Sequence, residues 1–177
     1  MFRVIAIIAI VVAALIAMVI LRGDAGAMGT SPMRRRGRRW QNLIWLVMLI
    51  GTLIGALTGI GSLIVSGPPI VGWTLILHCL AAPLFAIGIA VIALLWAGAY
   101  MRSNCAAGCA CFWSMLISGM VAIFSIALTM TPLFGTANQH FLLSVHRWSS
   151  LALVIFMMLH AARVAAVSRA AQNRAGA

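Results

Sequence analysis

The chain is expected to be an all-α integral membrane protein of five transmembrane helices, a four-helix bundle preceded by an N-terminal accessory span. Three observations predict this. Of its 177 residues, 64% are hydrophobic and 7% charged, with a mean hydropathy of +1.15, a balance outside the range of soluble globular domains. Apolar runs of about 20 residues, the length that crosses a bilayer, recur along it. Twelve arginines face a single acid, Asp24, and there is no lysine. In a soluble protein a net charge of +11 suggests nucleic acid. Here the arginines flank apolar spans, so they read as topology signals and lipid-headgroup contacts, with no nucleic-acid partner.

The first element is Val4 to Leu21, an unbroken apolar run of 18 residues. Arg3 before it and the small residues Ala25 to Ala27 after it give it the outline of a signal peptide. It reads instead as a retained span, and its lack of polar residues suits a lipid-facing, accessory helix. Residues 22–39 form a linker carrying Arg22, Arg34, Arg35, Arg36, Arg38 and Arg39. The second span runs from Trp40 to Leu63. A loop with Pro68 and Pro69 leads to the third, Trp73 to Tyr100. A Cys-rich link, Arg102 to Cys111, precedes the fourth, Phe112 to Thr131. Pro132, Gly135 and Asn138 then turn the chain into the fifth, whose apolar stretch ends near Val167. The organisation expected is an N-terminal helix over 1–21, an Arg-rich linker over 22–39, a four-helix membrane domain over 40–167 and a tail over 168–177.

Arginine placement predicts orientation. With the Arg34 to Arg39 cluster in the cytoplasm, Arg102, Arg163, Arg169 and Arg174 fall on the same side, and only Arg3 and Arg147 face away. The N-terminus is then outside and the C-terminus inside, in a bacterial cytoplasmic membrane. Cys105, Cys109 and Cys111 have the spacing C-x3-C-x-C, which matches no common zinc or iron–sulfur pattern, and they read as reduced thiols. The absence of C-x-x-C-H excludes covalent c-type haem. Gly51, Gly55 and Gly59 lie along one face of the second span, with Thr52 and Thr58 beside them. That stripe suits close helix packing of the small-xxx-small kind and equally leaves room for a flat ligand against the helix.

Histidines carry the functional signal. His146 and His160 are fourteen residues apart on the last span. Fourteen helical residues turn through about 1400° and rise about 21 Å, so both imidazoles leave one helix face at two depths. Ionisable residues inside membrane segments are functional hypotheses by default, and this arrangement suits haem ligation at one or both depths. His78 lies 22 residues before Tyr100, and His146 lies 21 before Val167. On spans running in the same direction these depths agree within a few ångströms, so His78 and His146 are the expected axial pair. Arg147 stands ready for a haem propionate. His140 is turned about 120° from the ligand face and suits an interfacial role. At the depth of His160, the third span offers Ile92, which cannot ligate. Met48, Met115 or a partner subunit is left to supply a second ligand there; otherwise His160 is a lone, hydrogen-bonded histidine.

The pattern Arg38-Arg39-Trp40…Thr58-Gly59, Leu77-His78 and His146-Arg147-Trp148…Leu159-His160 resembles the four-helix membrane cytochromes b, a group that includes the gamma subunit of respiratory formate dehydrogenases and cytochrome b561-like bacterial proteins. The resemblance covers residues 38 to 167. It implies that the last helix bears two haem ligands, with partner histidines on earlier helices, and that electrons pass between a quinone pool and a catalytic or cytochrome subunit. Where such proteins commonly carry a histidine early in the first core helix, this chain has Gln41 and Asn42. The function expected is therefore a haem b-containing electron-transfer subunit of a larger redox complex. It would hold one haem and at most two, through His78, His146, His160 and Arg147. Quinone is a candidate partner, near Arg39, Gln41 and Asn42 at one end or Gln139 and His140 at the other. With a single acid and no soluble domain, the chain is expected to carry electrons rather than catalyse. A structural anchor, a proton-linked transporter-like subunit and a pigment-binding protein are the competing classes.

Overall fold

A computed structural model of the chain describes residues 2–22, 38–65, 70–101, 106–132 and 134–175. All regular structure among them is helical. α1 spans Phe2–Arg22 and α2 spans Arg38–Ala56. α2 continues through a π turn, Leu57–Gly61, into the short α3, Ser62–Val65. α4 is Trp73–Met101, α5 Ala106–Thr129 and α6 Thr136–Ala175. Four stretches are long and apolar enough to cross a membrane: Leu43–Val65, Trp73–Gly98, Gly108–Thr129 and Thr136–Val167. The apolar part of α1, Phe2–Met18, is shorter. An all-α membrane architecture is thus what the chain adopts, and the linker arginines Arg34, Arg35 and Arg36 lie outside the described residues.

Two boundaries differ from the expectation. α5 begins at Ala106 rather than Phe112. The Cys-rich link is therefore partly helix, with Cys109 and Cys111 half-buried and free in its first turns; Cys105 lies outside the described residues. Alanine-rich small residues favour helix and ask for no turn. α6 starts at Thr136, which takes Asn138 and His140 into its first turns, and runs on to Ala175. The expected tail is a continuation of α6 for most of its length, because Ala, Arg and Gln propagate a helix past its apolar end.

Polar side chains within the spans bond back to their own helices, as a hydrocarbon environment demands. Thr52 donates to the Met48 carbonyl at 2.8 Å, Ser118 to Ser114 at 2.6 Å and Ser149 to Val145 at 2.8 Å. Outward faces are apolar: Leu94 is 85% exposed and Leu53 60%, which suits lipid rather than water. Gly72 enters α4 with φ +62°, a left-handed turn suited to glycine, and its carbonyl accepts from Leu75 and Ile76.

Packing is unequal along the bundle. Toward one end Met48, Ile89, Ile92, Trp96, Phe112, Met115, Leu116, Leu153 and Met157 form a continuous core. Toward the other, Ala6, Ile60 and Leu151 make a small cluster that fastens α1 to α2–α3 and α6. Phe2 meets Trp148 edge-on with centroids 4.8 Å apart. With Phe2 beside Trp148 and Ala6 beside Leu151, α1 runs parallel to α6. The space beside this second cluster is not filled by side chains.

Candidate functional site

That space is a cavity of about 350 Å³, near the lower limit for ligand pockets. His78, in the second turn of α4, and His146, three turns into α6, both line it. Their rings face each other with centroids 6.3 Å apart and planes at 86°. The two helices thus bring together the histidines that depth arithmetic paired.

Each ring is held at Nδ1. His146 Nδ1–H donates to the Ala122 carbonyl of α5 at 2.9 Å. A carbonyl only accepts, so the proton stays on Nδ1. Thr58 Oγ1, in the π turn, lies 3.1 Å from His78 Nδ1 and donates its own proton to the Ile54 carbonyl at 2.6 Å. It therefore accepts the His78 Nδ1–H. Both imidazoles keep a bare Nε2, and among the described residues no protein hydrogen bond reaches either one. Fixing the second ring nitrogen of a histidine on a carbonyl or hydroxyl is how proteins prepare Nε2 as a metal ligand.

The fit to a metal between the rings can be tested on distance. Two imidazole nitrogens at about 2 Å from one metal place the ring centroids about 6 Å apart, and the rings stand at 6.3 Å. No group of three or more His, Cys, Asp or Glu occurs among the described residues, so a bare ion finds no cage here. A macrocycle that brings its own equatorial nitrogens needs only two axial side chains, and the pair meets that requirement.

The three glycines of the stripe, two on α2 and one in the π turn, have different neighbours. A methyl at Gly51 would lie 3.5 Å from the Phe85 backbone, which is close helix packing. A methyl at Gly55 would meet nothing within 4 Å, and one at Gly59 would lie 2.9 Å from His78 Cε1. Gly55 leaves the cavity open, and Gly59 leaves room for the imidazole. Arg147 is exposed and lines the cavity together with Ser150 and Phe2. His140 is exposed and does not line the cavity, and Gln139 is half-buried. The side chains of Arg39, Gln41 and Asn42 lie outside the described residues.

His160 has different surroundings. It is 3% exposed, stacked on Trp45 with centroids 5.4 Å apart and planes at 17°. Its Nε2 lies 3.3 Å from the Tyr100 hydroxyl, and its Nδ1 is buried with no hydrogen-bond partner. Phe112 packs against both His160 and Tyr100. His160 does not line the cavity. Ile92, Met48 and Met115 are fully buried in the adjoining core. Sequence reasoning missed Tyr100 as the neighbour of His160. The available signal was that this is the chain's only tyrosine, and a buried phenol hydroxyl usually finds a partner. The Ala122 carbonyl left no signal, since any residue type supplies one. Comparisons with protein-family models, with curated proteins and with solved structures find no match.

Proposed function

We propose that the chain is a haem b-binding integral membrane subunit that transfers electrons within a larger redox complex. One observation carries this reading: two histidines from separate helices face each other at metal-bridging distance with both Nδ1 atoms committed and both Nε2 atoms bare. When bound, the haem would supply a one-electron carrier, and two histidine ligands would favour electron transfer over oxygen binding. His78 and His146 would hold it. Thr58 and the Ala122 carbonyl orient those rings, and Arg147 offers a guanidinium to a propionate. The apolar walls exclude water. His160 is left outside this assignment, because its Nε2 already meets Tyr100 and its ring is packed among aromatics.

The chain's single acid leaves substrate chemistry to a partner subunit, and a membrane quinone is the proposed small-molecule partner. Arginine asymmetry supports a bacterial cytoplasmic membrane with the C-terminus inside and the His78–His146 end facing out. The test is a reduced-minus-oxidised absorption spectrum of the purified chain. A sharp α-band of low-spin b type is expected, at one haem per chain. A chain purified from haem-replete cells without any redox-sensitive band would refute the proposal. A chlorin spectrum would assign the histidines to a pigment instead.

A further inference from the structure

The π turn Leu57–Gly61 is the one break in helical regularity within the continuous α2–α3 rod, and it stands beside His78. Wide turns of this kind occur frequently at functional sites. Two of its residues meet the imidazole. Thr58 accepts the Nδ1 proton at 3.1 Å while spending its own proton on Ile54. Gly59 faces the adjoining part of the same ring edge so closely that a Cβ would stand 2.9 Å from Cε1 and 3.3 Å from Nδ1.

We propose that this π turn is the seat of the His78 imidazole, with Thr58 its positioning residue and Gly59 the gap that admits it. α4 delivers His78 to the right depth, but rotation about the bonds of the side chain leaves the direction of Nε2 undetermined. The turn removes that freedom along the Nδ1–Cε1 edge, by a hydrogen bond at Nδ1 and by the close approach of Gly59 at Cε1. His146 has a different hold, a backbone carbonyl that no substitution removes. The two ligands are therefore unequal, and the adjustable one is His78. A hydroxyl that accepts from Nδ1–H makes the ring more electron-donating toward a metal on Nε2. Thr58 accordingly sets the potential of the bound group as well as the ring plane.

This inference rests on the haem reading, and the experiment separates the two. Thr58→Val keeps the shape and loses the acceptor, Thr58→Ser keeps the acceptor, and Gly59→Ala intrudes on the ring. Each is purified with bound haem and compared with the parent chain by redox titration, low-spin electron paramagnetic resonance and haem retention against apomyoglobin. Thr58→Val is expected to raise the midpoint potential and weaken haem retention by roughly tenfold, the lower end of the range for lost outer-shell partners. Thr58→Ser restores parental values. Gly59→Ala changes the low-spin signal or loses the haem. A potential, signal and retention identical to the parent in Thr58→Val and Gly59→Ala would overturn the seat while leaving the haem reading intact. A parent chain without haem would overturn the reading itself. Should Gly59→Ala fail to fold, the Thr58 pair decides alone.

Discussion

His78 and His160 show that burial in a membrane bundle does not give a histidine one fate. His78 has its Nδ1 satisfied and its other nitrogen facing a cavity. His160 has Nε2 on a phenol and Nδ1 on nothing. The first lines an open cavity, the second is packed among aromatic rings. Replacing either His78 or His146 with Ala should therefore remove the same haem, read as loss of the low-spin α-band and a haem-to-chain ratio near zero. His160→Leu should keep the parental ratio, and a halved ratio would return His160 to the ligand set. Replacing both partners of a buried hydrogen bond with apolar side chains is nearly neutral, whereas stripping one partner from the other is not. Tyr100→Phe should thus cost about 1–3 kcal/mol in detergent unfolding, and the double variant Tyr100→Phe with His160→Leu should recover part of that loss.

At the level of elements, small residues decide where helices touch and where they leave space. Gly119 of α5 sits under α4 so tightly that a Cβ would collide with Ile89 Cδ1 and come within 3.2 Å of Phe85 Cζ. Gly119→Ala should destabilise the chain by about 1–3 kcal/mol, the range for overpacking a filled core. Gly55→Ala meets nothing within 4 Å and should leave unfolding in detergent unchanged. Equal effects of the two substitutions would show that the bundle relaxes around both. α1 contributes in the same way: Ala6 and Ala13 form its buried side, while Val4, Ile8, Val11 and Leu15 face outward. It is an accessory helix in composition, yet Phe2 reaches the wall of the cavity.

Across the whole molecule, one half of the bundle is solid and the other hollow. The solid half holds the continuous core from Met48 to Met157, and the hollow half holds the histidine pair. Orientation decides which surface of the membrane that pair serves. A reporter fused at Ala177 should signal from the cytoplasm, and one inserted between residues 66 and 72 from the opposite side. Cytoplasmic signals from both would overturn the five-span arrangement, in which an odd number of crossings separates the two positions, and reversed signals would overturn the arginine-based orientation. The exposed Trp40 and Trp73, at or near the starts of α2 and α4, mark levels where indole favours the interface.

The sequence by itself determined the helices, the approximate ends of the spans and the common depth of His78 and His146. Those are local quantities: transfer of apolar residues to lipid depends on composition, and depth on a constant rise per residue. Trp73 to Tyr100 was legible nearly to the residue for that reason. The α5 start at Ala106 was missed because small residues such as Ala and Cys carry no strong hydropathy edge. Tertiary structure decided everything that needs a second helix. Depth arithmetic set Ile92 opposite His160, whereas Tyr100 meets it from eight residues further along α4. A phenol side chain is long and leans toward the start of its helix, and helices containing a residue such as Pro83 need not be straight rods. Likewise the acceptors that hold the two imidazoles at Nδ1, Thr58 Oγ1 and the Ala122 carbonyl, belong to helices other than those of their histidines. Their positions follow from how glycine and alanine faces let the helices approach, a relation between segments far apart in the chain that periodicity along one segment does not contain.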